Sequence, residues 1–157
     1  MSRKNTALPE EQQARLIEIL NRRLADAIDL QLQSRQAYWN IKGTTFLSLR
    51  ELFDKVTREV EAYANLIAER IVQLGGKAEG TAQAVVERSA LDRHGPASAG
   101  HSDALATTLT DFGRHTRYAS AQASDLSDAD TAALFTQIAR GIDKWLWFVE
   151  TSQPSSN

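Results

Sequence analysis

The sequence predicts an all-α fold, a bundle of four long helices with one long crossover that contains a short helix. Three observations predict it. Apolar residues recur at helical spacing over four separate stretches, each long enough for a helix of about 35–45 Å at roughly 1.5 Å per residue. Helix breakers are scarce, and the three prolines, Pro9, Pro96 and Pro154, fall near helix boundaries. The second and third stretches are separated by a long connection over residues 77–100, whereas the other junctions are short. Two helices, a long connection and two more helices is the order of a bundle with one crossover rather than of an up-down-up-down bundle.

The elements follow in order. Residues 1–8 are polar and predict a flexible tail. Pro9 with Glu10 and Glu11 is a good helix start, because proline tolerates the first turn and acids favour the positive end of the helix dipole. The first helix runs to about Tyr38 on a stripe of Leu16, Leu20, Leu24, Ile28 and Gln31, widened by Ile19 and Ala27. Asn40-Ile41-Lys42-Gly43 closes it. The second helix covers about 46–74, on the clearest stripe of the chain: Leu49, Leu52, Phe53, Val56, Val60, Tyr63, Ile67, Ile71 and Leu74. Gly75-Gly76 supplies its C-terminal cap. A short helix is predicted around Thr81–Glu87. The third long helix spans about 102–124 with Ser102 as its N-cap. The fourth spans about 129–151, where Trp145, Trp147 and Phe148 lie off the main stripe and predict burial against other subunits. The domain is therefore 9–152, with a polar tail at 153–157.

Composition excludes several function classes. The chain has 157 residues, 42% apolar and 24% charged, an ordinary globular balance. No apolar run approaches the roughly 18 residues of a spanning helix. The start, MSRKNTALPEE, has no hydrophobic signal core, so a soluble, cytoplasmic protein is the expectation. The lack of cysteine removes disulfides, thiolate metal sites and cysteine nucleophiles together. A net charge of −2 excludes a surface that is basic everywhere. Arg3 and Lys4 form a minimal basic arm and are the candidate DNA contacts, but two charges give little phosphate affinity at physiological salt. A di-iron carboxylate centre inside one bundle needs Glu-x-x-His pairs. Here Leu91, Ser98 and Phe112 stand three residues before His94, His101 and His115, so that centre is excluded. There is no Gly-x-Ser-x-Gly elbow and no phosphate loop. Ser127-Asp128-Ala129-Asp130 reads as a helix cap with helpful acids.

Three motifs carry a family resemblance. Tyr38-Trp39-Asn40-Ile41-Lys42-Gly43, followed by Phe46-x-x-Leu49-Arg50-Glu51-Leu52-Phe53-Asp54, resembles the Dps (DNA protection during starvation) hallmark His-Trp-Asn-x-x-Gly…Phe-x-x-Leu-His-x-x-Phe-Asp. Ala68-Glu69-Arg70-Ile71-x-x-Leu74-Gly75-Gly76 and Asp143-Lys144-x-Leu146-Trp147-Phe148-x-Glu150 resemble two further family segments. The resemblance covers about residues 15–151. It implies a ferritin-like subunit of a hollow homododecamer that oxidises ferrous iron with peroxide and stores the ferric product, in stress response and iron homeostasis. It also implies a ferroxidase site shared across a twofold interface, a histidine, an aspartate and a glutamate coming from one subunit and a histidine and an aspartate from the other.

The resemblance places those ligands at Tyr38, Arg50, Asp54, Asn65 and Glu69. Only Asp54 and Glu69 keep the family identity, as a remnant metal pair; both histidines are replaced. Arginine cannot ligate iron, since it has no acceptor and does not deprotonate. Positions 50 and 69 lie about 28 Å apart along one helix, so only an antiparallel partner can join them. The expectation is that Arg50 fills the vacated iron position, pairing with Asp54 or with the partner subunit's Glu69, while Tyr38 and Asn65 complete a neutral network. The family's iron-uptake pore is thinned as well. Asp128 and Asp130 remain, but Ala133 and Gln137 stand where the family has acids. The reading is a Dps-like cage whose peroxide-dependent ferroxidase chemistry is lost or weak. Its alternatives are a mini-ferritin with a relocated iron site, through His101, His115 or cavity carboxylates, and a nucleoid protein that protects DNA by binding it.

Overall fold

The computed structural model describes residues 8–42, 46–92 and 100–152. Among them the chain forms α1 (Glu10–Asn40), α2 (Phe46–Gln73), α3 (Ala82–Arg88), α4 (His101–Asp125) and α5 (Ala129–Thr151). The predicted order of elements is present, and no strand occurs among the described residues. Arg3, Lys4 and His94 lie outside the described residues, as do residues 1–7 and 153–157 of the two tails, whereas Leu8 packs on the core.

The long helices pack in the ring α1–α2–α5–α4, and α3 lies against α1. Neighbours run antiparallel. Gln13 reaches the Leu74 carbonyl across α1 and α2, Thr108 bonds Gln33 across α4 and α1, and Ser120 bonds the Ala132 carbonyl across α4 and α5. It follows that α2 and α4 are diagonal and run the same way. The chain must therefore return along the bundle between them, which is the physical reason for the long crossover.

Each predicted stripe forms the core. Leu16, Leu20, Leu24, Phe53, Val56, Val60, Ile67, Ile71, Leu109, Phe112, Phe135, Ile138 and Ile142 are buried. Leu52, Ile28, Ala132 and Leu146 are only partly buried and pack on that core from its edge. One close approach lies between α2 and α5. A Cβ on Gly141 would stand 1.8 Å from the Tyr63 hydroxyl, so only glycine lets the ring in.

Two helix ends show how the turns are made. The Gly76 amide donates to the Ile71 carbonyl and the Gly75 amide to that of Val72, with Gly75 at φ 88°. Gly75-Gly76 thus forms the predicted C-terminal cap, and it does so as a Schellman closure. The end of α4 repeats it on a serine: the Asp128 amide donates to the Ala123 carbonyl and the Ser127 amide to that of Ser124, with Ser127 at φ 66°. Asp128 then caps α5, accepting from the Thr131 amide. At α4 the cap differs from expectation. The helix begins one residue before Ser102, and its N-cap is Gly100, with no side-chain cap bond.

The crossover is pinned by buried polar residues of α1. Asn21 donates to the Lys77 carbonyl at 3.0 Å and accepts from the Glu79 amide at 2.9 Å. Asp26, fully buried, accepts from the Ala90 amide at 2.7 Å and meets Arg23 at 2.9 Å and His115 at 3.3 Å.

Candidate functional site

The residues singled out in the sequence fall into two groups at opposite ends of α2. At its N-terminal end, the last turns of α1 bring Tyr38 against Arg50. The guanidinium carbon lies 4.4 Å from the centroid of the Tyr38 ring, and Arg50 Nη2 donates to the Tyr38 hydroxyl at 3.3 Å. The planar cation thus uses both the face and the oxygen of one aromatic side chain. One turn on, the carboxylate of half-buried Asp54 is bound by Arg58 at 3.1 Å.

At the other end, Asn65 and Glu69 are exposed, one helical turn apart. The chain itself therefore brings Tyr38, Arg50 and Asp54 to one end of α2, and it keeps Asn65 and Glu69 about 16–28 Å away along that helix. Tyr38 and Arg50, the two positions to which the resemblance assigns histidines, thus meet within one subunit, whereas the resemblance divides the two histidines between subunits.

The pore candidates separate. Asp130 is exposed. Asp128 is 5% exposed and turned inward, where Arg70 forks to both of its oxygens at 3.0 Å and the Thr131 hydroxyl and amide donate at 2.5 and 3.1 Å. Burial works to raise its pKa, but the Thr131 bonds and Arg70 outweigh burial and hold the carboxyl below the usual aspartate range. Its charge is thus largely answered within the subunit.

The histidines offer no alternative centre among the described residues. His115 Nδ1 meets Asp26, whose carboxyl is raised by burial against the opposing pull of Arg23, the Ala90 amide and His115. Of His101 only the backbone is described. No group of three or more carboxylates and histidines among the described residues could hold a metal ion. Sequence reasoning missed Arg70–Asp128 and the Arg23–Asp26–His115 cluster. Their only signal was charge at helix positions that a surface stripe would equally explain.

This geometry can be set beside known proteins. A family model described as "Ferritin-like domain" matches residues 17–152. The DNA protection during starvation protein of Agrobacterium fabrum is 38% identical, over 91% of this chain and 90% of its own. The chain belongs to the Dps family. Among solved structures, Dps of Mycobacterium smegmatis superposes with a TM-score of 0.89 at 26% identity, covering 99% of this chain and 96% of that one. DpsA14 of Streptomyces coelicolor gives 0.88 at 30% identity, covering 97% and 92%. The four-helix Dps subunit with its crossover helix is thus the fold of this chain. Among the described residues no helix is long and apolar enough to cross a membrane.

Proposed function

We propose that this Dps-family chain is the subunit of a homododecameric shell whose intersubunit iron-oxidising centre has been replaced by a protein-only contact. The observation that carries the reading is Arg50 lying on Tyr38, at the two positions where the resemblance puts the iron-binding histidines. Ferrous iron is the substrate of that chemistry. A guanidinium offers it no lone pair and places a fixed positive charge where a cation would bind. Asp54 and Glu69 keep their carboxylates, but Asp54 already answers Arg58. Holding a metal at two carboxylates beside a fixed cation is electrostatically unfavourable.

The test is aerobic oxidation of ferrous iron by the assembled protein, with and without peroxide. The expected rate equals that of buffer under both conditions. A protein-dependent acceleration by peroxide would overturn the reading, and would return the chain to the iron-storing mini-ferritins.

A second reading comes from the Agrobacterium fabrum relative, whose name assigns it DNA protection during starvation. On this reading the shell, located in the cytoplasm, shields DNA by contact, with Arg3 and Lys4 as its basic arm. A gel shift at low and moderate salt tests it. Complexes that persist at moderate salt and are lost with Arg3→Ala/Lys4→Ala support this role; complexes absent at low salt refute it.

A further inference from the structure

Between α1 and α4 the subunit leaves a polar groove of about 380 Å3. Its α1 wall carries Arg15, Arg22 and Arg23, and its α4 wall carries Tyr118 and Gln122. Tyr118 and Gln122 stand one helical turn apart and so present one face. Two contacts set the register of the antiparallel walls: Gln33 meets Thr108, and Asp26 meets His115. Continued toward the start of α1, that register puts Arg23 opposite Tyr118 and Ile19 opposite Gln122.

Arg23 is the unusual member, because it is only 9% exposed. A solvated charged surface keeps its arginines in water, and a buried guanidinium is costly unless its donors are answered. Its Nε lies 2.9 Å from Asp26, but that carboxylate also takes the Ala90 amide and meets His115. The two terminal nitrogens of Arg23 bond no described residue. They are donors left open at the groove that Arg23 lines.

The rest of the groove points to what would answer them. Arg15 is exposed and pairs with no described residue. Arg22 holds Glu18 at 3.1 Å, with both side chains largely exposed. A pair of that kind contributes little and is easily exchanged for a stronger acceptor. Glu18 is the only acid lining the groove against three guanidiniums, so its potential favours an anion. Guanidiniums fork to phosphate oxygens. The Tyr118 ring beside them is 65% exposed, a free platform of the sort on which a nucleobase stacks. The Gln122 amide offers a donor and an acceptor to a base edge.

We propose that the α1–α4 groove binds a free nucleoside phosphate. Arg23, Arg22 and Arg15 take the phosphate groups, Tyr118 stacks on the base, and Gln122 meets its edge. The site stands apart from the vacated iron centre, since none of its residues is a family ligand position.

Calorimetric titration of the full-length assembled protein tests it, with ADP, adenosine and inorganic phosphate as probes. ADP should bind saturably and more tightly than inorganic phosphate, and adenosine should not bind measurably. Arg15→Ala/Arg22→Ala should weaken ADP roughly tenfold or more, as charge-assisted bonds are lost. Arg23→Lys keeps the charge beside Asp26 but not the fork, and should also weaken ADP roughly tenfold. Tyr118→Ala should weaken ADP roughly tenfold while leaving inorganic phosphate unchanged. Arg15, Arg22 and Tyr118 are exposed, so their variants are expected to fold, which circular dichroism verifies. Absence of saturable ADP binding overturns the proposal. So does adenosine binding as tightly as ADP, inorganic phosphate binding as tightly as ADP, or ADP binding unchanged in the arginine and Tyr118 variants. A short single-stranded oligonucleotide separates a strand from a free nucleotide: its binding without binding of ADP overturns the proposal as well.

Discussion

Helix α2 carries an arginine near each end, and the two are used differently. Arg70 points into its own subunit, forks to both oxygens of Asp128 and donates to the Thr131 hydroxyl at 2.9 Å. Its charge is answered by a carboxylate 58 residues away, and the pair locks the α4–α5 turn to the end of α2. Arg50, partly exposed, lies on the ring of Tyr38 near the end of α1. The first contact ties two distant parts of the subunit together through a buried, forked ion pair, and the second is a stack between the neighbouring ends of α1 and α2.

The largest expected effect breaks the contrast at the Arg50 end. Placing the family's ligand types with Tyr38→His/Arg50→His/Asn65→Asp should raise peroxide-dependent oxidation of ferrous iron well above that of the natural chain, followed by absorbance of the ferric product. Arg50→His alone should give no activity, because Tyr38 and Asn65 remain unable to complete the set. Activity in that single variant would show that the centre was not vacated.

Next comes the Arg70 end. Asp128→Ala strands a mostly buried guanidinium and removes the cap of α5, and should cost about 3 kcal/mol in chemical denaturation. Arg50→Ala should cost the unassembled subunit less than about 1 kcal/mol, since a partly exposed cation–π contact is weak. Equal losses at the two ends would erase the distinction.

Acid should discriminate between the ends too. The Asp128 carboxyl is held below its ordinary pKa, so its stabilisation is fully present above about pH 4 and is lost as pH falls through the folded value. A pH series of unfolding midpoints should show that loss in the natural chain and a flatter profile in Asp128→Asn. The smallest effect concerns the turn beside Asp128. Ser127 holds a left-handed conformation that Gly75 adopts freely in the matching turn of α2. Ser127→Gly should therefore raise stability by about 0.5–1 kcal/mol, read from the melting temperature.

Much of the fold was legible because helical periodicity is local. The α2 stripe from Leu49 to Leu74 required burial of one face whatever packed on it, and Gly75-Gly76 required an end. The cap of α4 was misread because a serine near a helix start is common, and only the chain path shows that Gly100 takes the turn. The site was half legible. Motif positions named Tyr38 and Arg50, but a motif does not say which side chains share a subunit. Arg70–Asp128 and Asp26–His115 were not legible, since their partners lie 58 and 89 residues apart in sequence and neither residue type is unusual at a helix surface.

The helices, their order, the crossover and the identity of the residues at the motif positions, Tyr38 and Arg50 among them, could be read from the sequence because each depends on residue identity and short-range spacing. Only the tertiary structure decided that Tyr38 folds onto Arg50 and that Asp128 turns inward. Those outcomes depend on which helices become neighbours, and that is settled by packing the whole core at once.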